Sequence, residues 1–330
     1  MENYNFSYNP SRELNDVPKQ MEMSPDMIRY NFESLGYIAS DSIVDAVYSA
    51  LATNSPILVD GPAGVGKTEL AKVIATMQNA NFIRLQCYDG IGPNEVLYDM
   101  DRNKMQSYTT MLVQHVKAMV HGKTWDEAIK TIKTQKFYES EEFLIKRPVL
   151  QSIAPNDDRY QVLLVDEIDK ASDKIEALLL EVLSDFSVSV PELGRTYHCK
   201  ENMKPIIIIT SNNVRELGEP LRRRCTYIYI DYPSIEIEQK IISCNCKISM
   251  DYAYQAAVLM HDIRKKLQLK KKPCNSESIA FFKVLYYSLK VPIPDVKLYG
   301  KTMVHAVSLL AKYPSDIEML TNYFLSHGNV

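Results

Sequence analysis

The residues best placed to do chemistry are Gly61, Pro62, Ala63, Gly64, Val65, Gly66, Lys67 and Thr68, followed by Glu69. They spell G-x-x-x-x-G-K-[ST], with an apolar strand-length run before them and a helical pattern after them. Glycines there let successive backbone N–H groups curl around phosphate oxygens, and the following helix adds the positive end of its dipole. Lys67 is then expected on the terminal phosphates and the Thr68 hydroxyl on Mg²⁺. The chain has only 11 glycines in 330 residues, well under the usual ~7%. Spending three of them in six positions argues against an idle turn.

Three further groups lie downstream. Val162–Asp166 and Glu167 end four apolar residues with two carboxylates, at the strand edge where open α/β sheets place ligands. Asp166 is expected to hold the magnesium through water and Glu167 to polarise the attacking water as base. Helix capping is the bland reading of such a pair. Ile206–Thr210 runs into Ser211, Asn212 and Asn213, where Asn212 is placed to orient that water; taken alone, an Asn after a strand is a turn residue. Then Arg222, Arg223 and Arg224 stand together before Cys225. An arginine offered to a neighbour's γ-phosphate stabilises charge in phosphoryl transfer, while a solvated or acid-paired cluster is the alternative.

The elements needed to position these groups are legible too. Ser40 and Asp41 start a helix with Ile43, Val44, Val47, Ala50 and Leu51 at helical spacing. Strand-length runs at Ile57–Asp60, Phe82–Leu85, Val162–Asp166, Ile206–Thr210 and Tyr227–Ile230 alternate with amphipathic stretches. This predicts an α/β domain with a mostly parallel five-stranded sheet covered on both faces. Residues 1–28 are polar and aperiodic, and read as a flexible arm before an α/β domain over 29–233. From 234 to 330 the pattern is helical, near 235–247, 250–269, 276–289, 300–312 and 315–326, and predicts a smaller all-helical domain.

In order and motif the chain resembles the AAA+ P-loop ATPases, and more narrowly the MoxR family, especially its carbon-monoxide-dehydrogenase-accessory-like branch. The likeness is carried by Asp60–Ala71, Arg84–Tyr88, Glu142–Ile145, Leu164–Lys170, Leu183–Gly194 and Thr210–Pro233. It implies ATP and Mg²⁺ as ligands, Gly61, Gly66, Lys67 and Thr68 as Walker A, and Asp166 and Glu167 as Walker B. It further implies Asn212 as sensor 1, Arg224 as arginine finger with Arg223 as its substitute, and a helical lid. Rings, usually hexamers, with ATP between subunits are implied, as are a von Willebrand factor A-domain partner and a protein client to be remodelled or matured. Phe186–Val190 before Pro191–Gly194 resembles the hairpin ahead of sensor 1. Two departures stand out. Ser276 or Glu277 occupies the place of a sensor 2 arginine, and residues 98–155, with helical patterns around 109–121 and 125–137, form an enlarged insertion.

Other readings are bounded by composition. With 38 basic against 41 acidic residues the formal charge is −3, which argues against attachment to nucleic acid by bulk charge. Arg264, Lys265, Lys266, Lys270, Lys271 and Lys272 form a local basic cluster, read mainly as the exposed end of a lid helix. The second reading is a nucleic-acid motor or restriction-type NTPase. The third is a nucleotide-gated scaffold with little turnover. Tyr88 and Tyr98, among 21 tyrosines, read as packing residues before they read as a polypeptide grip. His115 and His121 read as solvated helix residues. Scattered cysteines without C-x-x-C spacing disfavour disulfides and zinc. With no apolar span and no secretory leader, the expected location is the cytoplasm.

Overall fold

The computed structural model of the protein describes residues 24–108, 110, 121–122, 124–127 and 141–327. Helices α1 (Pro25–Ser34) and α2 (Asp41–Thr53) lead to β1 (Ile57–Asp60), α3 (Lys67–Met77) and β2 (Asn81–Gln86). A short α4 (Pro93–Val96), β3 (Tyr98–Met100), β4 (Leu144–Lys146) and α5 (Pro148–Ile153) precede β5 (Gln161–Asp166). Next come α6 (Asp173–Asp185), the antiparallel hairpin β6 (Ser187–Val190) and β7 (Arg195–His198), β8 (Ile206–Ser211), α7 (Glu219–Arg224) and β9 (Thr226–Tyr229).

Five of these strands form one parallel sheet in the order β2-β5-β8-β1-β9. Every residue of β1 and β5 is buried, as strands covered on both faces require. Alternation then splits the core in two. Leu58, Leu163, Val165, Ile207 and Ile209 pack on one side with α5 and α6. Ile57, Val59, Val162, Leu164 and Ile208 pack on the other with α1, α2 and α3. Register sets the carboxyl ends side by side: Gln86 opposite Asp166, and Asp60 opposite Ser211.

The boundary of the N-terminal arm needs correction. Helix α1 begins at Pro25, so residues 25–28 belong to the folded domain. Ser24 caps α1 by accepting the Met27 N–H at 3.3 Å, with Pro25 in the first turn. Ile28 and Phe32, four apart on one face, are fully buried, and Phe32 meets Tyr37 edge-on at 5.5 Å. The base of the expected insertion is folded into the domain, because β3 pairs antiparallel with β4 and Val149, Leu150 and Ile153 join the core. The helical patterns around 109–121 and 125–137 fall almost wholly outside the described residues.

From Ser234 onward the described residues are helical: α8 (Ile235–Cys246), α9 (Met250–Lys266), α10 (Asn275–Lys283) with a π turn at Val284–Ser288, α11 (Val296–Val304), α12 (Val307–Leu310) and α13 (Pro314–His327). They enclose a third core running from Ile242 to Phe324. The helix expected over 300–312 is two, broken at Ala306 (φ −110°, ψ 4°), where neither Gly nor Pro marks a stop. Helix α9 also ends sooner than 269.

Arg264 does not sit at an exposed helix end. It is 6% exposed and binds Glu238 bidentately at 2.6 and 2.7 Å. Its Nε donates to the Pro273 carbonyl at 2.8 Å, and its guanidinium lies over the Tyr232 ring at 5.1 Å. Breaking such a pair on one side costs roughly 3–5 kcal/mol, so Arg264 clamps α8, α9 and the segment entering α10.

Candidate active site

The loop from Gly61 to Gly66 leaves β1 and enters α3. Gly61 has φ +149°, and a Cβ there would stand 2.0 Å from the Ile230 carbonyl oxygen. Gly64 has φ +83°, and a Cβ there would stand 2.4 Å from Cys274 Sγ. Only glycine fits either place. The loop is thus pressed between the sheet edge and the helical domain, with the N-terminus of α3 opening at Lys67.

Lys67 turns back over this loop. Its Nζ donates to the carbonyls of Gly61 at 2.6 Å and Pro62 at 2.8 Å, and to Asn212 Oδ1 at 2.8 Å. Burial pulls the Lys67 ammonium below the ordinary lysine value, while Asp169, Asp60, Asp166 and Glu167 pull the other way. Asn212 spans the gap at the end of β8, since its Nδ2 donates to Glu167 Oε1 at 3.0 Å. The strands therefore bring together three groups that are distant in sequence.

Thr68 Oγ1 lies 3.3 and 3.4 Å from the two oxygens of Asp166. Thr210 Oγ1 donates to Asp166 Oδ1 at 2.6 Å and accepts the Glu167 N–H at 2.9 Å. That contact holds Glu167 in the left-handed region (φ 57°, ψ 50°), which a non-glycine residue enters only under constraint. Its Oε2 accepts from Lys170 at 2.6 Å and Gln86 at 2.9 Å. The Lys170 hydrogen bond, seconded by Asn212 against the effect of burial, holds the Glu167 carboxyl below the usual glutamate value. A carboxylate ionised at neutral pH thus sits beside an orienting amide and a buried cation.

The three arginines diverge. Arg222 turns inward, its Nη2 3.8 Å from the buried Asp60 and its guanidinium over Tyr227 at 5.3 Å. Arg223 pairs along its own helix with Glu219 at 2.6 Å, and both side chains are exposed. Among the described residues Arg224 reaches the Pro220 carbonyl, at 3.5 Å. Arg223 and Arg224 are the two that face outward. Glu69 is exposed and pairs with Lys72.

Of the two candidates at the sensor 2 place, Glu277 is turned into its own helix. It accepts the Cys274 N–H at 2.9 Å and pairs with Lys271 at 2.9 Å. Burial raises its carboxyl, but those hydrogen bonds outweigh burial and leave it below the usual value. Ser276 and Asn275 instead line a cavity of ≈ 570 Å³ beside the phosphate loop. Asn275 Nδ2 donates to the Val65 carbonyl at 3.4 Å. Tyr37, Ile38, Tyr229 and Ile237 give this cavity apolar walls, suited to a flat heterocycle whose phosphates run into the glycine loop.

Sequence reasoning missed Arg84, Gln86, Lys170, Asp169 and Asn275. Asp169 Oδ2 accepts the N–H groups of Asn212 at 3.2 Å and Val214 at 3.0 Å, fixing the loop after β8. The signal was partly there. Arg84 and Gln86 alternate with buried Ile83 and Leu85 along β2, which puts two polar side chains on one face of a strand next to Asp166.

The family described as AAA domain (dynein-related subfamily) matches residues 56–225, over half of the chain. The chain belongs to this AAA family. At the level of the family it is a nucleotide-binding, ATP-hydrolysing domain. The AAA protein is similar to Lon protease 1 of Syntrophobacter fumaroxidans, 27% identical over 279 residues, 78% of this chain and 28% of that one. It is similar to chaperone MoxR1 of Mycobacterium tuberculosis, 24% identical over 213 residues, 62% of this chain and 44% of that one. With the ATP-dependent Clp protease ATP-binding subunit ClpL of Staphylococcus aureus it shares 30% identity over 186 residues, 53% of this chain and 21% of that one. The AAA chain spans less than half of each of these three relatives. Among its described residues no helix is long and apolar enough to cross a membrane.

Proposed function

We propose that this AAA protein is a MoxR-like ATPase that hydrolyses ATP to ADP and phosphate between subunits of a ring, and couples turnover to remodelling of a protein client. The observation that carries the reading is the run Lys67–Asn212–Glu167, closed at 2.8 and 3.0 Å across the carboxyl ends of the sheet. An orienting amide between a phosphate-binding cation and a carboxylate is what an attacking water needs.

The residues also fit magnesium. Among the described residues no cluster of three or more His, Cys, Asp or Glu forms a cage. The Thr68 hydroxyl and Asp166 carboxylate offer hard oxygen donors side by side, as suits a cation that keeps waters and shares phosphate oxygens. When bound, the ion neutralises phosphate charge. The chain's own residues do the rest. Glycine-loop N–H groups hold the β-phosphate, Lys67 leaves its carbonyl partners for the terminal phosphates, Asn212 orients a water, and Glu167 Oε1 takes its proton. Arg224, or Arg223, is offered to the site of the next copy, most simply in a hexamer.

The MoxR likeness adds a von Willebrand-type partner and a cytoplasmic setting to this reading. The nucleic-acid alternative is weakened because three of its six basic residues are paired: Arg264 with Glu238, Lys266 with Asp262 and Lys271 with Glu277. ATP turnover should be measured alone, with duplex and single-stranded DNA, and with an unfolded polypeptide. We expect turnover that DNA leaves unchanged and polypeptide raises. DNA stimulation that falls steeply with salt would favour the motor. ATP binding without turnover in any mixture would favour the scaffold.

A further inference from the structure

Asp166 is saturated with donors from the chain itself. Its Oδ1 accepts from Thr210 at 2.6 Å and lies 3.3 Å from Thr68 Oγ1. Its Oδ2 lies 3.4 Å from Thr68 Oγ1 and accepts from Arg84 twice, from Nε at 3.0 Å and Nη2 at 2.5 Å. A carboxylate has about four acceptor positions, so a metal or a metal-bound water can be accepted only if a donor departs.

The three donors are not equally free to leave. Thr210 is fully buried and holds the Glu167 N–H as well. Thr68 itself belongs to the oxygen set expected to meet the cation. Arg84 reaches in from β2 on a long side chain that is 50% exposed, while the Asp166 side chain is 4% exposed. Its departure costs least, because the guanidinium returns to water.

We infer that Arg84 is a resident counter-cation of this site: its guanidinium is held on Asp166 and must swing out when the Mg²⁺–nucleotide complex binds. This rests on the hydrolase reading above. Arg84 is a positioning residue that sets the magnesium concentration at which the site fills. Its Nη2 also donates to Gln86 Oε1, and Gln86 Nε2 donates to Glu167 Oε2. Departure of Arg84 therefore also loosens one of the contacts that hold the Glu167 carboxylate in place.

The test is equilibrium binding of a fluorescent ADP analogue as Mg²⁺ is titrated from a chelated start, for wild type, Arg84→Met and Arg84→Lys. Arg84→Met keeps length and removes charge. We expect its half-saturating Mg²⁺ concentration to fall about ten-fold, the worth of a partly exposed charge-assisted pair, with Arg84→Lys between it and wild type. An unchanged or higher concentration in Arg84→Met overturns the inference. A second readout needs no variant. In wild type, the Arg84 Nε–H nuclear magnetic resonance signal should be shielded from exchange without Mg²⁺ and lose that protection with Mg²⁺ and ADP; a signal unmoved by Mg²⁺ and ADP also overturns it. If wild type binds no ADP analogue at any Mg²⁺ concentration, the hydrolase reading itself fails and the inference falls with it.

Discussion

Glu167→Gln is expected to lower ATP turnover by about 100- to 10,000-fold, the range a positioned general base supplies, while ATP still binds. The substitution keeps size and shape. The backbone constraint from Thr210 onto the Glu167 N–H, 2.9 Å, is untouched, and a glutamine oxygen can still accept from Asn212. What disappears is the proton acceptor. The Lys170 hydrogen bond keeps the wild-type carboxyl below the usual glutamate value, so that contribution is present above the ordinary value and is lost only as pH falls through the lower, folded one. Phosphate release measured beside ATP binding checks this. Wild-type turnover in Glu167→Gln would move the base elsewhere.

The second large effect is expected between copies. Arg224→Ala should slow hydrolysis by about 1,000-fold or more, the scale of an arginine supplied to a γ-phosphate, with nucleotide affinity kept. Arg222 is committed within its own subunit by Asp60 and Tyr227, which leaves Arg224 and Arg223 as the outward pair. Mixing separates a contribution in trans from one in cis. Arg224→Ala and Glu167→Gln proteins, each inactive, should regain turnover together, because one supplies the intact base and the other the arginine. No recovery on mixing would place the arginine in its own site, and a wild-type rate in Arg224→Ala would transfer the role to Arg223.

The phosphate loop was legible because its local string of residue types admits little else. The Asp166–Glu167 pair, Asn212 and the arginine cluster each carry a bland reading alone and gained meaning from their order behind that loop. The five strands were legible because apolar runs of that length between amphipathic stretches favour a covered parallel sheet. What stayed hidden depends on register. Nothing near Arg84 in sequence announces that β2 will lie against β5 and set Arg84 and Gln86 beside two carboxylates more than eighty residues away. The same holds for Arg264, which reads as the start of a basic run until Glu238 is found across the helix pair. Short-range pattern misled at Ala306, where the apolar spacing suggests one helix and the chain makes two. At the sensor 2 place the sequence offered Ser276 or Glu277, and the capping bond to Cys274 N–H takes Glu277 out of play.

Everything proposed depends on a nucleotide seated in the Gly61–Thr68 loop with Lys67 on its phosphates. Calorimetric titration of ADP into the purified chain, beside Lys67→Ala and with and without Mg²⁺, measures that directly. We expect one saturable site, tightened by Mg²⁺, and at least ~100-fold weaker binding in Lys67→Ala, as loss of a charged hydrogen-bond donor to phosphate entails. Wild-type affinity in Lys67→Ala, or no ADP binding by the wild-type chain, would contradict it.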